Sequence, residues 1–219
     1  DVGIVVDPDV DRLALVCEDG SMFGEEYTLV ACADYVLGKL GGGNTVSNLS
    51  SSRALRDVTE KHGGTYTASA VGEVNVVIKM KETNTVIGGE GNGGIILPAS
   101  HYGRDSLVGV ALFLSHMATT KISCKALRES YPSYFMSKNK IQLTPQIDVD
   151  NILEIMATKY ANEEVNTIDG VKIDFESQWV HLRKSNTEPI IRIYTESNSQ
   201  LNADELAERF ITEIKEIIA

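Results

Sequence analysis

Neither a disulfide scaffold nor a cysteine-rich metal cluster is available to this chain. Its three cysteines, Cys17, Cys32 and Cys124, are odd in number and show no Cys-x-x-Cys spacing. Reduced, buried thiols of this kind fit a cytoplasmic protein. Proline is sparse, with 5 residues, and the 18 glycines follow no period, so collagen-like and low-complexity chains are excluded. No apolar run approaches the roughly 20 residues of a membrane span. The longest stretch, Leu107–Met117, is broken by His116 and flanked by Asp105. Basic residues are outnumbered: 20 Lys and Arg face 31 Asp and Glu, for a net charge of −11. That balance argues against a nucleic-acid partner. It also means that any site for a small anion must rest on local cations. What remains is 42% apolar and 23% charged over 219 residues, the composition of a soluble globular protein of more than one average domain. The chain opens at Asp1 directly into a strand pattern, as expected for a piece of a longer protein. Nothing in the sequence sets an oligomeric state.

The first part alternates strand and helix patterns. Val2–Val6 is a continuous apolar run, expected as a strand buried on both faces, followed by a loop and a strand at Leu13–Cys17. Helices are expected over Glu25–Leu40, Ser52–His62, Glu73–Lys81 and Arg104–Met117. Strands are expected at Thr45–Leu49, Thr65–Ala70, Thr85–Ile87 and Ile95–Leu97. This alternation predicts a mixed, mostly parallel α/β domain. After Tyr131-Pro132 the pattern changes, and a domain boundary is expected near Pro132. A strand at Tyr134–Leu143, a helix at Val149–Tyr160 capped by Asp148, three strands at Val171–Phe175, Trp179–Arg183 and Ile190–Thr195, and a last helix at Glu205–Ile218 capped by Asn202 or Asp204 predict an α+β domain with helices on one face.

Three segments carry chemistry. Asp7, Asp9 and Asp11, followed by Arg12, alternate in a loop after a strand, where α/β proteins place ligands. Three hard oxygen donors suit Mg²⁺, and without a cation they would repel one another. An EF-hand is excluded because Arg12 stands where that loop needs glycine. An aspartyl phosphatase of the haloacid dehalogenase type, with Asp7 as nucleophile and Asp9 as acid, is a second reading, although the later Gly-Asp ligand pair is missing. The second segment, Gly88-Gly89-Glu90-Gly91-Asn92-Gly93-Gly94, is neither a Rossmann fingerprint nor a P-loop. Its only polar side chains, Glu90 and Asn92, suit the vicinal hydroxyls of a sugar, and a plain flexible turn reads equally well. The third, Arg183-Lys184-Ser185-Asn186-Thr187-Glu188-Pro189 with Arg192 beyond, combines guanidinium, hydroxyl and amide donors into a phosphate cradle. Gly72 and Glu73 open a helix, where Glu73 either complements the helix dipole or serves as a general base. His101, Tyr102, Arg104 and Asp105 form a polar cluster before a helix, with Asp105 structural; His62, His116 and His181 are expected in structural or surface roles.

Taken in order, Asp-x-Asp-x-Asp-Arg, Gly-Gly-Glu-x-x-Gly and Arg-x-Ser-Asn-Thr-Glu-Pro resemble the α-D-phosphohexomutases, the phosphomannomutases, phosphoglucomutases and phosphoglucosamine mutases. The resemblance implies that residues 1–24 end the family's second domain with its metal loop, 25–132 form the sugar-binding third domain, and 133–219 the phosphate-binding fourth. It implies Mg²⁺ on Asp7, Asp9 and Asp11, with Arg12 and Glu73 catalytic. It further implies that Gly72, Glu90, Asn92, Arg183, Ser185, Asn186, Thr187 and Arg192 bind substrate. The family's phosphoserine, in a Thr-Ala-Ser-His-Asn-Pro motif, would lie upstream. Ser100, in Pro98-Ala99-Ser100-His101, falls in the wrong domain and is not its equivalent. The expected reaction interconverts hexose 1-phosphate and 6-phosphate through a hexose 1,6-bisphosphate, and this chain alone should be inactive. Pro8 and Val10 stand where the family's metal loop commonly has glycine, Asn92 where serine is frequent, and Glu73 where some members carry histidine. A non-catalytic sugar-phosphate module is the remaining reading.

Overall fold

The computed structural model describes residues 1–144, 147–185 and 188–218. It divides into two compact units, Asp1–Pro132 and Ser133–Ala219. Among the described residues no helix is long and apolar enough to cross a membrane.

In the first unit, β1 (Val2–Val6) and β2 (Leu13–Cys17) form an antiparallel hairpin with Val6 opposite Leu13. The four-stranded sheet comprises β3 (Asn44–Asn48), β4 (Tyr66–Ser69), β5 (Thr85–Glu90) and β6 (Gly94–Ile96), in the order β4-β3-β5-β6. The pairs β3–β4 and β3–β5 are parallel, and β6 turns back antiparallel on β5. Five helices surround it: α1 (Glu25–Leu40), α2 (Ala54–Lys61), α3 (Glu73–Glu82), α4 (Ser106–Thr120) and α5 (Cys124–Glu129). Because side chains alternate along β3, Val46 packs with Val76 and Met80 of α3, while Thr45 faces the other way and meets Thr59 of α2 at 2.6 Å between hydroxyls. Helices therefore cover both faces. The carboxyl ends of β3, β4 and β5 carry Asn48, Ser69 and Glu90 to one edge.

The second unit has β7 (Phe135–Gln142), α6 (Val149–Lys159), β8 (Glu164–Asn166), β9 (Val171–Asp174), β10 (Trp179–Lys184), β11 (Ile190–Ser197) and α7 (Gln200–Ile218). Its sheet, ordered β7-β11-β10-β9-β8, is antiparallel throughout. One face carries Ile141, Ile173, Val180, Leu182, Ile191 and Ile193, which form a single core with Met156 of α6 and Phe210 and Ile214 of α7. Both helices thus lie on one face, and the expected fold class stands.

Four local expectations are corrected. β1 is not buried on both faces: Val5 is 53% and Ile4 44% exposed, because its only partner strand among the described residues is β2. The glycines of 88 and 89 belong to β5 itself. α7 starts at Gln200 because the hydroxyl of Ser199 accepts the N–H of Asn202 at 3.1 Å, which extends the apolar stripe back to Ala203. α4 begins at Ser106, where the carboxylate of Asp105 accepts the N–H groups of Leu107 and Val108.

Asp34 of α1 ties the first unit together. His62 Nε2 lies 2.7 Å and Lys61 Nζ 3.4 Å from one of its oxygens. The Tyr131 hydroxyl donates to the other at 3.1 Å, with His116 of α4 3.5 Å away. Burial alone would push this carboxyl up, but His116, His62, Lys61 and Tyr131 hold it well below the usual carboxylate range. A depressed carboxyl contributes stability that is present above its unfolded value and lost as pH falls through its folded one. Asp34→Asn is therefore expected to destabilise the protein by about 1–3 kcal/mol at pH 7. Below pH 4 the gap in Tm between variant and parent should narrow, as thermal melts across pH 3–7 would measure.

Candidate functional site

The loop between β1 and β2 is built on Asp7. One of its oxygens accepts the N–H groups of Asp11 and Arg12 at 3.2 and 3.3 Å. Partial burial works against the charge of Asp7, but these two bonds and the Arg12 guanidinium hold its carboxyl below the ordinary range. Val10 adopts φ 58, the left-handed region that suits glycine and strains a β-branched residue. Its carbonyl is clamped by the Ser106 hydroxyl at 2.7 Å.

Asp11 leads to the centre of the site. Arg104 Nη2 lies 2.5 Å from Asp11 Oδ2, Nε 3.3 Å from Glu73 Oε2, and Nη1 3.1 Å from Glu90 Oε2. The backbone N–H of Arg104 also donates to Glu73 Oε1 at 2.9 Å. One guanidinium therefore gathers carboxylates from the metal loop, the start of α3 and the end of β5. Glu90 is buried, and its Oε1 also accepts Asn48 Nδ2 at 2.9 Å and the Gly72 N–H at 3.3 Å. Ser51 accepts the Gly91 N–H at 3.0 Å and donates to Asn48 Oδ1 at 3.1 Å. Gly91 lies so close to the Glu26 carboxylate that a Cβ there would collide with it. A cleft of about 280 Å³ beside this cluster is lined by Asp7, Arg12, Glu25 and Asn92.

Asp7, Asp11, Arg12, Gly72, Glu73, Glu90 and Asn92 thus lie in one neighbourhood, with Asp9 exposed on the loop. Among the described residues no three acidic, histidine or cysteine side chains are gathered around one point as a bound ion requires. The donor chemistry nevertheless fits a hard cation. Asp11 Oδ1 is buried and accepts no hydrogen bond among the described residues, and Arg12 and Arg104 hold the carboxylates in its place. Asn48 and Ser51 escaped the sequence reading, and Arg104 entered it only as part of a polar cluster before a helix. The signal for Asn48 and Ser51 was available: polar residues directly after an apolar strand in an α/β pattern.

In the second unit, Arg183 of β10 stands directly opposite Arg192 of β11. They lie on the sheet face away from the helices, since Leu182 and Ile193 point into the core. Two like charges facing across strands destabilise each other. An anion between them removes that penalty, and bidentate guanidinium binding favours phosphate. Ser185 follows, its N–H donating to the Ile190 carbonyl at 3.1 Å. Asn186 and Thr187 lie outside the described residues.

Comparisons with known proteins cover nearly the whole chain. Residues 24–134 match the family model for the phosphoglucomutase/phosphomannomutase α/β/α domain III, and residues 140–213 the model for the C-terminal domain of the same family. The chain is 33% identical to a phosphoglucomutase/phosphomannomutase of Thermococcus kodakarensis, aligned over all of this chain and 48% of that protein. It is 31% identical to a phosphoglucosamine/phosphogalactosamine mutase of Sulfurisphaera tokodaii, over all of this chain and 48% of that protein. A crystal structure of a phosphoglucomutase/phosphomannomutase family protein from Burkholderia thailandensis superposes with TM-score 0.82 at 24% identity, covering 98% of this chain and 46% of that one. The Aspergillus fumigatus N-acetylphosphoglucosamine mutase, solved with GlcNAc-6P and magnesium, shares the fold at TM-score 0.67 and 14% identity, over 95% of this chain and 51% of that one. The chain spans about half the length of the curated relatives it matches.

Two substitutions test the site's construction. Arg104→Gln leaves the buried Glu90 without its charge partner and is expected to destabilise the protein by about 3 kcal/mol, measured by denaturant unfolding. Val10→Gly relieves the left-handed strain at an exposed position and should leave Tm unchanged or raised, where Val→Gly in an ordinary strand lowers it.

Proposed function

The chain belongs to the phosphoglucomutase/phosphomannomutase family, and we propose that it is the C-terminal half of a phosphohexomutase that interconverts hexose 1-phosphate and 6-phosphate. The observation that carries the reading is the meeting of two separate sequence motifs and the start of α3, through Asp11, Glu90 and Glu73, on Arg104. On this reading residues 1–24 complete the second domain of the whole protein, residues 25–132 are its sugar-binding domain, and residues 133–219 its phosphate-binding domain. The upstream half supplies the phosphoserine and the strands that would cover β1.

Asp7, Asp9 and Asp11 would hold Mg²⁺, which, when bound, neutralises charge on the phosphoryl group in transfer. The Aspergillus mutase of the same fold was solved with magnesium. In this chain Arg12 steadies the transferring group. Glu73 takes the proton from the attacking sugar hydroxyl and returns it to the leaving oxygen on the reverse pass. Glu90 and Asn92 orient the sugar hydroxyls, with Gly72 presenting its backbone beside them. Arg183, Ser185, Asn186, Thr187 and Arg192 grip the phosphate that is not reacting. The hexose 1,6-bisphosphate turns over between half-reactions, and catalysis rests on positioning and charge stabilisation. A glucosamine phosphate is the alternative substrate, favoured by the name of the Sulfurisphaera relative. The aspartyl-phosphatase reading has no second observation behind it.

The test compares two proteins with glucose 1-phosphate, mannose 1-phosphate and glucosamine 1-phosphate, each with Mg²⁺ and the matching bisphosphate. The 219-residue chain is expected to give no turnover, and the protein extended by its upstream coding sequence to turn over at least one substrate. Turnover by the chain alone, or none by the extended protein, overturns the reading.

A further inference from the structure

Arg183 is held in place by a turn that the sequence reading passed over. Asp169 and Gly170 join β8 to β9, and Asp169 Oδ2 lies 2.9 Å from Arg183 Nε. The contact is to the inner nitrogen, whereas phosphate is taken bidentately along a guanidinium edge. The turn is fixed at two further points. His181 Nε2 lies 2.7 Å from the Asp169 carbonyl, which can only accept, so this nitrogen carries the proton. Burial pushes the His181 imidazole down to about 4, so at neutral pH it is an uncharged donor. Gly170 sits at φ 72 against the carbonyl of Leu182, where any Cβ would collide. The backbone before Arg183, the turn and the guanidinium are therefore locked as one unit.

We propose that Asp169 is a positioning residue for phosphate capture, holding Arg183 in the rotamer that receives the non-reacting phosphate of the substrate. An arginine side chain has considerable rotamer freedom to lose on binding. The Asp169 contact orders the side chain in advance, so less is lost when the anion arrives. The negative charge of Asp169 also tempers the Arg183–Arg192 pair, which favours release of a phosphate that must leave and return in the other orientation.

This inference rests on the phosphohexomutase reading, and the experiment separates the two. In the extended protein, Arg183→Gln, Asp169→Ala, Asp169→Asn and the double variant Asp169→Ala/Arg183→Gln are compared for KM, kcat and Tm on the active hexose 1-phosphate. Arg183→Gln is expected to raise KM strongly. Asp169→Ala should raise KM about tenfold with little change in kcat. Asp169→Asn, which keeps the shape of the side chain but not its charge, should recover part of that loss. The double variant should bind no worse than Arg183→Gln alone, because Asp169 acts only through Arg183. An unchanged KM in Arg183→Gln defeats the phosphate-loop reading itself. A raised KM in Arg183→Gln with no effect of Asp169→Ala, or additive losses in the double variant, overturns the role of Asp169. Should Asp169→Ala fail to fold, Asp169→Asn in the Arg183→Gln background carries the same test.

Discussion

One guanidinium sets the electrostatics of the first unit. In a chain of net charge −11, three carboxylates converge at the edge of the parallel sheet, and Arg104 is the cation that lets them do so. Without it, buried Glu90 would lose its charge partner. Each carboxylate comes from a different supersecondary unit, so the arrangement exists only when the hairpin, the β4–α3 crossover and the β5–β6 turn are all in place. The geometry of the candidate site and the stability of the unit are thereby the same interaction. The Ser106 hydroxyl extends this coupling, since it anchors the Val10 carbonyl and begins α4 two residues after Arg104.

The second unit handles charge in the opposite way. It places two arginines face to face on the sheet surface away from its core and sets a carboxylate beside each, Asp169 at Arg183 and, at a longer 3.9 Å, Glu188 at Arg192. The result is a local cationic site inside an acidic protein, with fixed geometry and moderated charge. On the proposed function, such a site would attract a dianion without binding it irreversibly.

Much of the fold was legible because the signals were local. Apolar alternation and the glycine breaks located the four parallel-sheet helices, and Asp148 and Asp105 acted as helix caps. Two short elements were not legible: α5 has six residues and β8 three, and each depends on packing that no local period records. The misreading of β1 has the same origin. A continuous apolar run reports that both faces of a strand meet other chain, without saying which chain. Within the site, Asp7, Glu90 and Arg183 stood out because their neighbours in sequence were chemically unusual. Arg104 did not, since its three partners lie 14, 31 and 93 positions away and only the fold joins them. Asp169 was hidden for the same reason: Asp-Gly is an ordinary turn dipeptide until its carboxylate is seen beside Arg183.

The exposed β1 has a consequence for handling this chain by itself. Its five residues offer backbone donors and acceptors along one edge, with the side chains of Ile4, Val5 and Val6 open to solvent and no proline or lysine among them. That is the profile of a strand that recruits another strand. Free in solution at high concentration, such an edge finds a second copy of itself. Light scattering by the isolated chain would then rise with concentration while its fold remained intact, and added upstream sequence would act first as a solubility element.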